Sequence, residues 1–210
     1  MPLLPAIFAM ATIVVASNIL VQFVIAGGLL TWGAFTYPFA FLVIDLTNRV
    51  HGPRAARAVV VWGFVTGVLC SLVGSKWEIA PGVPAVALRV AVASGAAFLA
   101  AQLLDVAIFH HFRLREWWRA PLTSTFVSSS LDTAIFFSLA FAAAFGGFFP
   151  AAANEAVSWA HGLAPLLAVG PEAPYWASLA LADLGVKIAL ALVTMLPYRL
   201  FLGRLQHRVS

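Results

Sequence analysis

The sequence predicts an all-α, polytopic membrane protein with six transmembrane helices in a single domain spanning residues 1–210, and three observations predict it. The chain is 62% hydrophobic and only 10% charged, where soluble domains carry about a quarter charged residues. Its apolar residues gather into runs at 5–26, 31–50, 57–74, 85–108, 121–146 and 175–200, each near the ~20 residues needed to cross a bilayer. Basic residues then alternate between the connecting loops.

The first run has no basic segment before it and outlasts the roughly 7–15 apolar residues of a secretory leader, so it reads as a retained helix. Gly27-Gly28 separates it from the second run, which His51-Gly52-Pro53 ends. Pro81-Gly82-Val83-Pro84 precedes the fourth run; these are helix breakers at the expected places. The fifth loop, 147–174, is long for a compact bundle. Within it, Pro150 to His161 fits a short helix at the outer interface, with Trp159 as its anchor and Gly162 as its stop. A re-entrant hairpin is the less favoured alternative. Trp32, Trp77 and Tyr175-Trp176 suit an outer aromatic belt, and Trp117-Trp118 an inner one.

Orientation follows from arginine. Arg49, Arg54 and Arg57 flank the second loop, His110, His111, Arg113, Arg115 and Arg119 the fourth, and Arg199, Arg204 and Arg208 the C-terminus. The first loop has no basic residue, the third has Lys76 alone, and the fifth carries Glu155 and Glu172. The positive-inside rule places both termini in the cytoplasm. The net charge of +4 and pI near 9.8 therefore reflect topology, not a nucleic-acid surface. Cys70 is alone, so no intrachain disulfide can form.

Four ionisable residues sit deep inside these runs: Arg89, Asp132, Asp183 and Lys187. A charge near the bilayer centre costs roughly 2.5–3.5 kcal/mol on insertion scales, so such groups must pair or face water. Depth brings Asn18, Gln22, Arg89, Asp132, Asp183 and Lys187 into one layer between the midplane and the outer side. Asp183 and Lys187, four apart, share a helix face. The layer is either a structural ion-pair network or the lining of a polar substrate cavity. Asp45 and Arg49 form a second pair, an inner gate or an anchor, with Arg49 snorkelling to the interface. Asp105 is expected to pair with basic residues of the following loop. Enzyme signatures are missing: there is no His-Glu-x-x-His, Walker loop or Gly-x-Ser-x-Gly elbow. The five histidines offer no zinc site, and Ser128-Ser129-Ser130 has no histidine at its depth to activate it. No cofactor is expected.

Several motifs carry a family resemblance. They are Ser17-Asn18-x-Leu20-x-Gln22, Thr31-Trp32-Gly33-Ala34-Phe35-x-Tyr37-Pro38-Phe39, Asp45-Leu46-Thr47-x-Arg49-x-x-Gly52 and Arg89-x-Ala91-x-Ala93-Ser94. Gln102-x-Leu104-Asp105, Trp117-Trp118-x-Ala120-Pro121, Ser128-x-x-x-Asp132-Thr133 and Asp183-x-x-x-Lys187 follow in order. In this register the chain resembles the queuosine precursor transporter family, part of a vitamin-uptake-transporter-like group. The resemblance implies an inner-membrane importer of the 7-deazaguanines preQ0 and preQ1, working by secondary transport or facilitated diffusion. It also implies a fold like the six-helix substrate subunits of energy-coupling-factor transporters.

The base's chemistry suits the layer. Its N1–H and exocyclic amine match one carboxylate, either Asp132 or Asp183. Its O6 accepts from Asn18, Gln22, Arg89 or Lys187, and its ring stacks on Trp32 or Phe35, or on the Arg89 guanidinium. The expected partners are this small molecule and the lipid bilayer, with no nucleic acid. Small-residue faces such as Gly95-Ala96-Ala97 permit a homodimer. Two alternatives are a vitamin-binding subunit that needs a separate ATPase, and an intramembrane enzyme or scaffold without solute flux.

Overall fold

A computed structural model describes residues 3–20, 23–36, 38–80 and 83–206. Among them the helices are α1 (Leu4–Leu20), α2 (Gly33–Thr36), α3 (Pro38–His51), α4 (Pro53–Gly74), α5 (Leu88–Phe112), α6 (Arg119–Phe141), α7 (Ala151–Glu155) and α8 (Tyr175–Gln206). Of these, α4, α5, α6 and α8 are long and apolar enough to cross a membrane, and α1 is a shorter apolar helix. The architecture is an all-α, multi-pass membrane bundle.

The surface is inverted relative to a soluble protein. Leu69, Leu72, Val73, Leu192, Val193 and Leu196 are exposed, whereas Asp45, Asn48, Arg89, Gln102, Asp105, Ser128, Asp132 and Lys187 are buried. Lipid solvates the former; the latter must find partners inside. Helices α5 and α6 are joined by a short turn and pack along their length. Met10, Val14, Ile44, Val59, Val60, Phe98 and Val106 form a core between α1, α3, α4 and α5. Phe137, Phe141, Val157 and Ala160 form a second core at the Arg-poor end, and Phe109, Ala120 and Tyr198 a third at the Arg-rich end.

Three antiparallel hairpins sit at the Arg-poor end. They pair β1 (Val24–Ile25) with β2 (Leu30–Thr31), β3 (Glu78–Ala80) with β4 (Val83–Pro84), and β5 (Leu163–Pro165) with β6 (Glu172–Pro174). The first of them lies where the initial span was expected to continue to 26: the described helix is Leu4–Leu20, and Val24–Ile25 is already strand. Gly28 explains the turn, because its φ of +101° is unfavourable with a side chain and a Cβ there would meet the Tyr175 hydroxyl at 2.7 Å. The second span is also broken. Its main helix, α3, begins at Pro38, after the single turn of α2, because proline tolerates the first helical turn and not the interior. The fifth span ends at Phe141 rather than 146, and the sixth runs on through Pro197 to Gln206. The expected helix from Pro150 to His161 is two pieces, α7 and a 3-10 turn at Ser158–His161.

Close packing between α1, α4 and α5 depends on Gly63, where an added Cβ would meet Met10 Cγ at 2.7 Å and Phe98 Cζ at 2.9 Å. Overpacking of this kind costs about 1–3 kcal/mol. At Gly67 the added atom would meet Val14 at 3.6 Å, an ordinary contact. Gly63→Ala is expected to lower the melting temperature of the detergent-solubilised protein, and Gly67→Ala to leave it nearly unchanged. Equal shifts would remove Gly63 as the limiting contact.

Candidate functional site

A cavity of about 600 Å³ opens among α2, α5, α6, α8 and the first hairpin, toward the Arg-poor end. Its floor is charged. Lys187 Nζ donates to Asp132 Oδ2 at 2.6 Å, to Asp183 Oδ2 at 2.5 Å and to Thr133 Oγ1 at 3.1 Å. The Thr133 hydroxyl in turn donates to Asp183 Oδ2 at 2.8 Å. Asp132 and Thr133 come from α6. Asp183 and Lys187 stand one turn apart on α8 and so share a face. One ammonium between two carboxylates leaves a formal charge of −1. Lys187 and Asp132 are 5% and 6% exposed, but Asp183 is 18% exposed and both its hydrogen bonds use Oδ2. Asp183 therefore turns the rest of its carboxylate toward the cavity.

The walls are aromatic. Phe136 and Phe137 meet edge to face at 5.0 Å, Phe137 lies 5.9 Å from Phe141, Phe141 lies 5.7 Å from Trp159, and Trp159 lies 6.2 Å from Tyr175. Ser94 of α5 adds a hydroxyl to the lining. Over the mouth, the Tyr175 hydroxyl donates to the Gly28 carbonyl at 3.0 Å, latching the first hairpin onto α8.

Of the residues that sequence depth grouped together, the structure unites Asp132, Asp183 and Lys187. Arg89 is at the expected level but is turned elsewhere. Its Nε donates to the Leu139 carbonyl at 2.8 Å, Nη2 to the Ala142 carbonyl at 2.5 Å and Nη1 to Asn154 Oδ1 at 2.9 Å. These carbonyls lie at the C-terminal end of α6, where helix geometry leaves acceptors unmet and a cation is favoured. Arg89 also lies over the Phe149 ring, 5.4 Å from its centroid. Asn18 bonds back to the Val14 carbonyl of its own helix, at 2.8 Å. Trp32 is half exposed and packs on Phe35 at 5.8 Å, and neither lines the cavity. Gln22 lies outside the described residues.

The inner pair also differs from expectation. Arg49 is not bound to Asp45. Its Nε donates to the Tyr198 hydroxyl at 3.0 Å, Nη1 to the Arg113 carbonyl, and it lies over Phe109. These partners lie on α8 and at the end of α5, so Arg49 ties the Arg-rich ends of α3, α5 and α8 together. Asp105 makes no ion pair with a loop cation among the described residues; it is buried within α5, with both carboxylate oxygens unpartnered.

Ser94, Phe136, Phe137, Phe141 and Tyr175 were not anticipated as lining, nor Thr133 as a partner of the charged floor. A signal existed for part of this set: Thr133, Phe137 and Phe141 recur every four residues and form one stripe on α6 above the charged floor.

Residues 31–201 match the family described as "Putative vitamin uptake transporter". The queuosine precursor transporter of Escherichia coli K12 is 32% identical over 94% of this chain and 85% of its own length. A "Probable queuosine precursor transporter" of Haemophilus influenzae is 40% identical over 53% of this chain and 52% of its own. No solved structure matches.

The charged floor makes a coupling prediction. Removing one partner of a buried ion pair typically costs about 3–5 kcal/mol, because an uncompensated charge remains. Lys187→Met is expected to lower thermal stability by that order. Adding Asp132→Asn should then recover part of the loss, since it removes one of the two stranded carboxylates. A thermal-shift double-mutant cycle in detergent measures this non-additivity. Strictly additive losses would mean that the three groups do not act as a unit.

Proposed function

Because the chain belongs to the queuosine precursor transporter family, one of transporters and not of enzymes, we propose that it imports the 7-deazaguanine precursors preQ0 and preQ1 across the inner membrane without an ATPase. The observation that carries this reading is the partly exposed Asp183 carboxylate at the floor of an aromatic-walled cavity. A volume near 600 Å³ suits a small ligand. The guanine-like edge places N1–H and the exocyclic amine side by side, and a carboxylate accepts both. Asp183 is the better reader than Asp132, whose carboxylate is nearly closed off by Lys187. O6 is placed to accept from Ser94 or the Lys187 ammonium. The flat ring packs against the Phe136, Phe141 and Trp159 wall.

The formal −1 of the floor favours a cation, which preQ1 supplies through its aminomethyl group, and the aromatic rings add cation–π attraction. In this reading the Arg-rich end is cytoplasmic and both termini lie there, as the distribution of basic residues supports. The cavity then opens outward, and the hairpin latched by Tyr175 and Gly28 covers its mouth.

Purified protein in liposomes, supplied with no ATP, is expected to take up labelled preQ0 or preQ1. Asp183→Asn exchanges an acceptor for a donor against N1–H while keeping the Lys187–Asp132 pair. Loss of a hydrogen bond to a charged group is worth roughly 1.5–3 kcal/mol, so uptake affinity should fall about tenfold or more. Normal uptake by a well-folded Asp183→Asn protein would remove this residue from the site. A strict need for an added ATPase would overturn the proposed mechanism.

A further inference from the structure

Every buried side-chain nitrogen or oxygen that lacks a hydrogen-bond partner among the described residues lies on α3, α5 or α6, in the half between the cavity floor and the Arg-rich end. Counted at about 1.5 Å per residue from those ends, Asp132 stands ~20 Å up α6 and Ser128 ~14 Å. Gln102 stands ~15 Å up α5, Asp105 ~10 Å, and Asn48 ~5 Å up α3. Two hydrogen bonds tie the three helices together over this depth. Ser124 of α6 donates to Asp45 Oδ1 of α3 at 3.4 Å, and Asn48 Nδ2 of α3 donates to the Val106 carbonyl of α5 at 2.9 Å. Helices α5 and α6 pack along their length. A polar ladder therefore descends from the cavity floor to the Arg-rich end, and the substrate reading above uses none of it.

Gln102 is the central rung. It is fully buried, and neither Nε2 nor Oε1 has a partner. Phe98 and Val106, one turn away on either side, belong to the same core cluster as Ile44 of α3, so the amide points into the bundle and not at lipid. Ser128 and Ser129 are buried too, and neither hydroxyl is bonded even to its own helix. Within the hydrocarbon layer only the protein can satisfy such groups. If they served to join helices they would be bonded across the seam, as Asn48 is to Val106. An apolar side chain of similar shape would serve the packing with no hydrogen bond forgone. Groups that break a local rule in this way mark a place where function uses them. Their chemistry matches the cargo. A carboxamide presents a donor and an acceptor side by side, the complement of the lactam edge of a 7-deazaguanine: Nε2–H donates to O6, and Oε1 accepts from N1–H. The serine hydroxyls, one turn below Asp132 and Thr133, take either role.

We propose that the α3–α5–α6 seam is the inner half of the substrate path, and that Gln102 is a second station on it, holding the lactam edge of the base after the base leaves the cavity. The seam is closed in this structure, whose cavity opens toward the opposite end. In the inward-open arrangement the three helices part at the Arg-rich end, and water and base reach the serines, Gln102 and Asn48. The identity of the base rests on the import reading above; the path itself does not.

Two experiments test the path and the station separately. Serine and cysteine are nearly isosteric, so Ser128→Cys in a Cys70→Ser background should fold. In membrane vesicles its thiol should react with a membrane-impermeant methanethiosulfonate applied at the Arg-rich end. Val127→Cys, at the neighbouring lipid-facing position, should not, because the reactive thiolate forms only where water reaches it. A Ser128→Cys thiol that stays inert, or reacts no faster than that of Val127→Cys, would overturn the path. Gln102→Met keeps the length of the side chain and removes the amide. Its melting temperature in detergent should equal or exceed that of the wild type, since a buried unpartnered group is lost. Its uptake of preQ0 into liposomes should nonetheless fall about fivefold or more, as the loss of hydrogen bonds to the moving base requires. A melting temperature well below the wild type's would make Gln102 a structural residue, and normal uptake would remove it from the path; either result overturns the station. If the wild type takes up neither preQ0 nor preQ1 while Ser128→Cys still reacts, the import reading falls and the path stands for a different solute.

Discussion

A charge inside a bilayer must be matched by another group of the same chain, and most of this architecture follows from how four such charges are matched. Lys187 bridges Asp132 and Asp183, so α8 is fastened to α6 at mid-depth. Arg89 fastens α5 to the end of α6 and to α7 through three hydrogen bonds. The two fastenings differ in what they leave over. Arg89 meets neutral carbonyls and an amide, its fork is occupied, and nothing faces a cavity. Lys187 meets one carboxylate too many. The surplus negative charge cannot lie in hydrocarbon, and it sits where a cavity opens. A polar site is thus the consequence of an imbalance that the packing leaves unfilled.

Depth was legible in the sequence; azimuth was legible only in part. Counting residues along apolar runs put Asp132, Asp183 and Lys187 at one level, and they meet there. The same count put Arg89 and Asn18 at that level, where they serve other purposes. On α5 the lining residues are Val90, Ser94 and Ala97, and Arg89 is one position away, a rotation of about 100° around the helix axis. No property of the single chain says which flank of α5 meets the cavity, because α5 is buried on more than one side. Asp45 and Arg49 show a related failure. Spacing of four permits a pair, but the Arg49 side chain is drawn instead to Tyr198 of α8, far along the chain.

The Arg-poor end was the least legible part. Trp159 and Tyr175 have the composition of an interfacial belt, and belt and cavity wall use the same side chains for the same amphipathic reason. What distinguishes them is tertiary: Trp159 is clasped edge-on between Phe141 and Tyr175, and Tyr175 reaches Gly28 nearly the whole chain away. The short hairpins were invisible for another reason. Two- and three-residue strands have no periodicity to read, and Gly27-Gly28 or Pro81-Gly82 announce only that a helix has ended.

Helix α6 holds the polar parts together. Its exposed face meets lipid through Phe126 and Val127. Its buried face carries Ser124, Ser128, Asp132 and Thr133, then Phe137 and Phe141. Along that one face the chain passes from hydroxyls to the charged floor and then to an aromatic wall. Serine and threonine hydroxyls in a membrane helix can bond to their own backbone, as Ser130 does to Phe126, so a hydroxyl alone signals little. Ser128 does not take that option, although it is fully buried. That hydroxyl lies one turn from Ser124 and one turn from Asp132, so a polar group interrupts the packing of α6 directly below the charged floor.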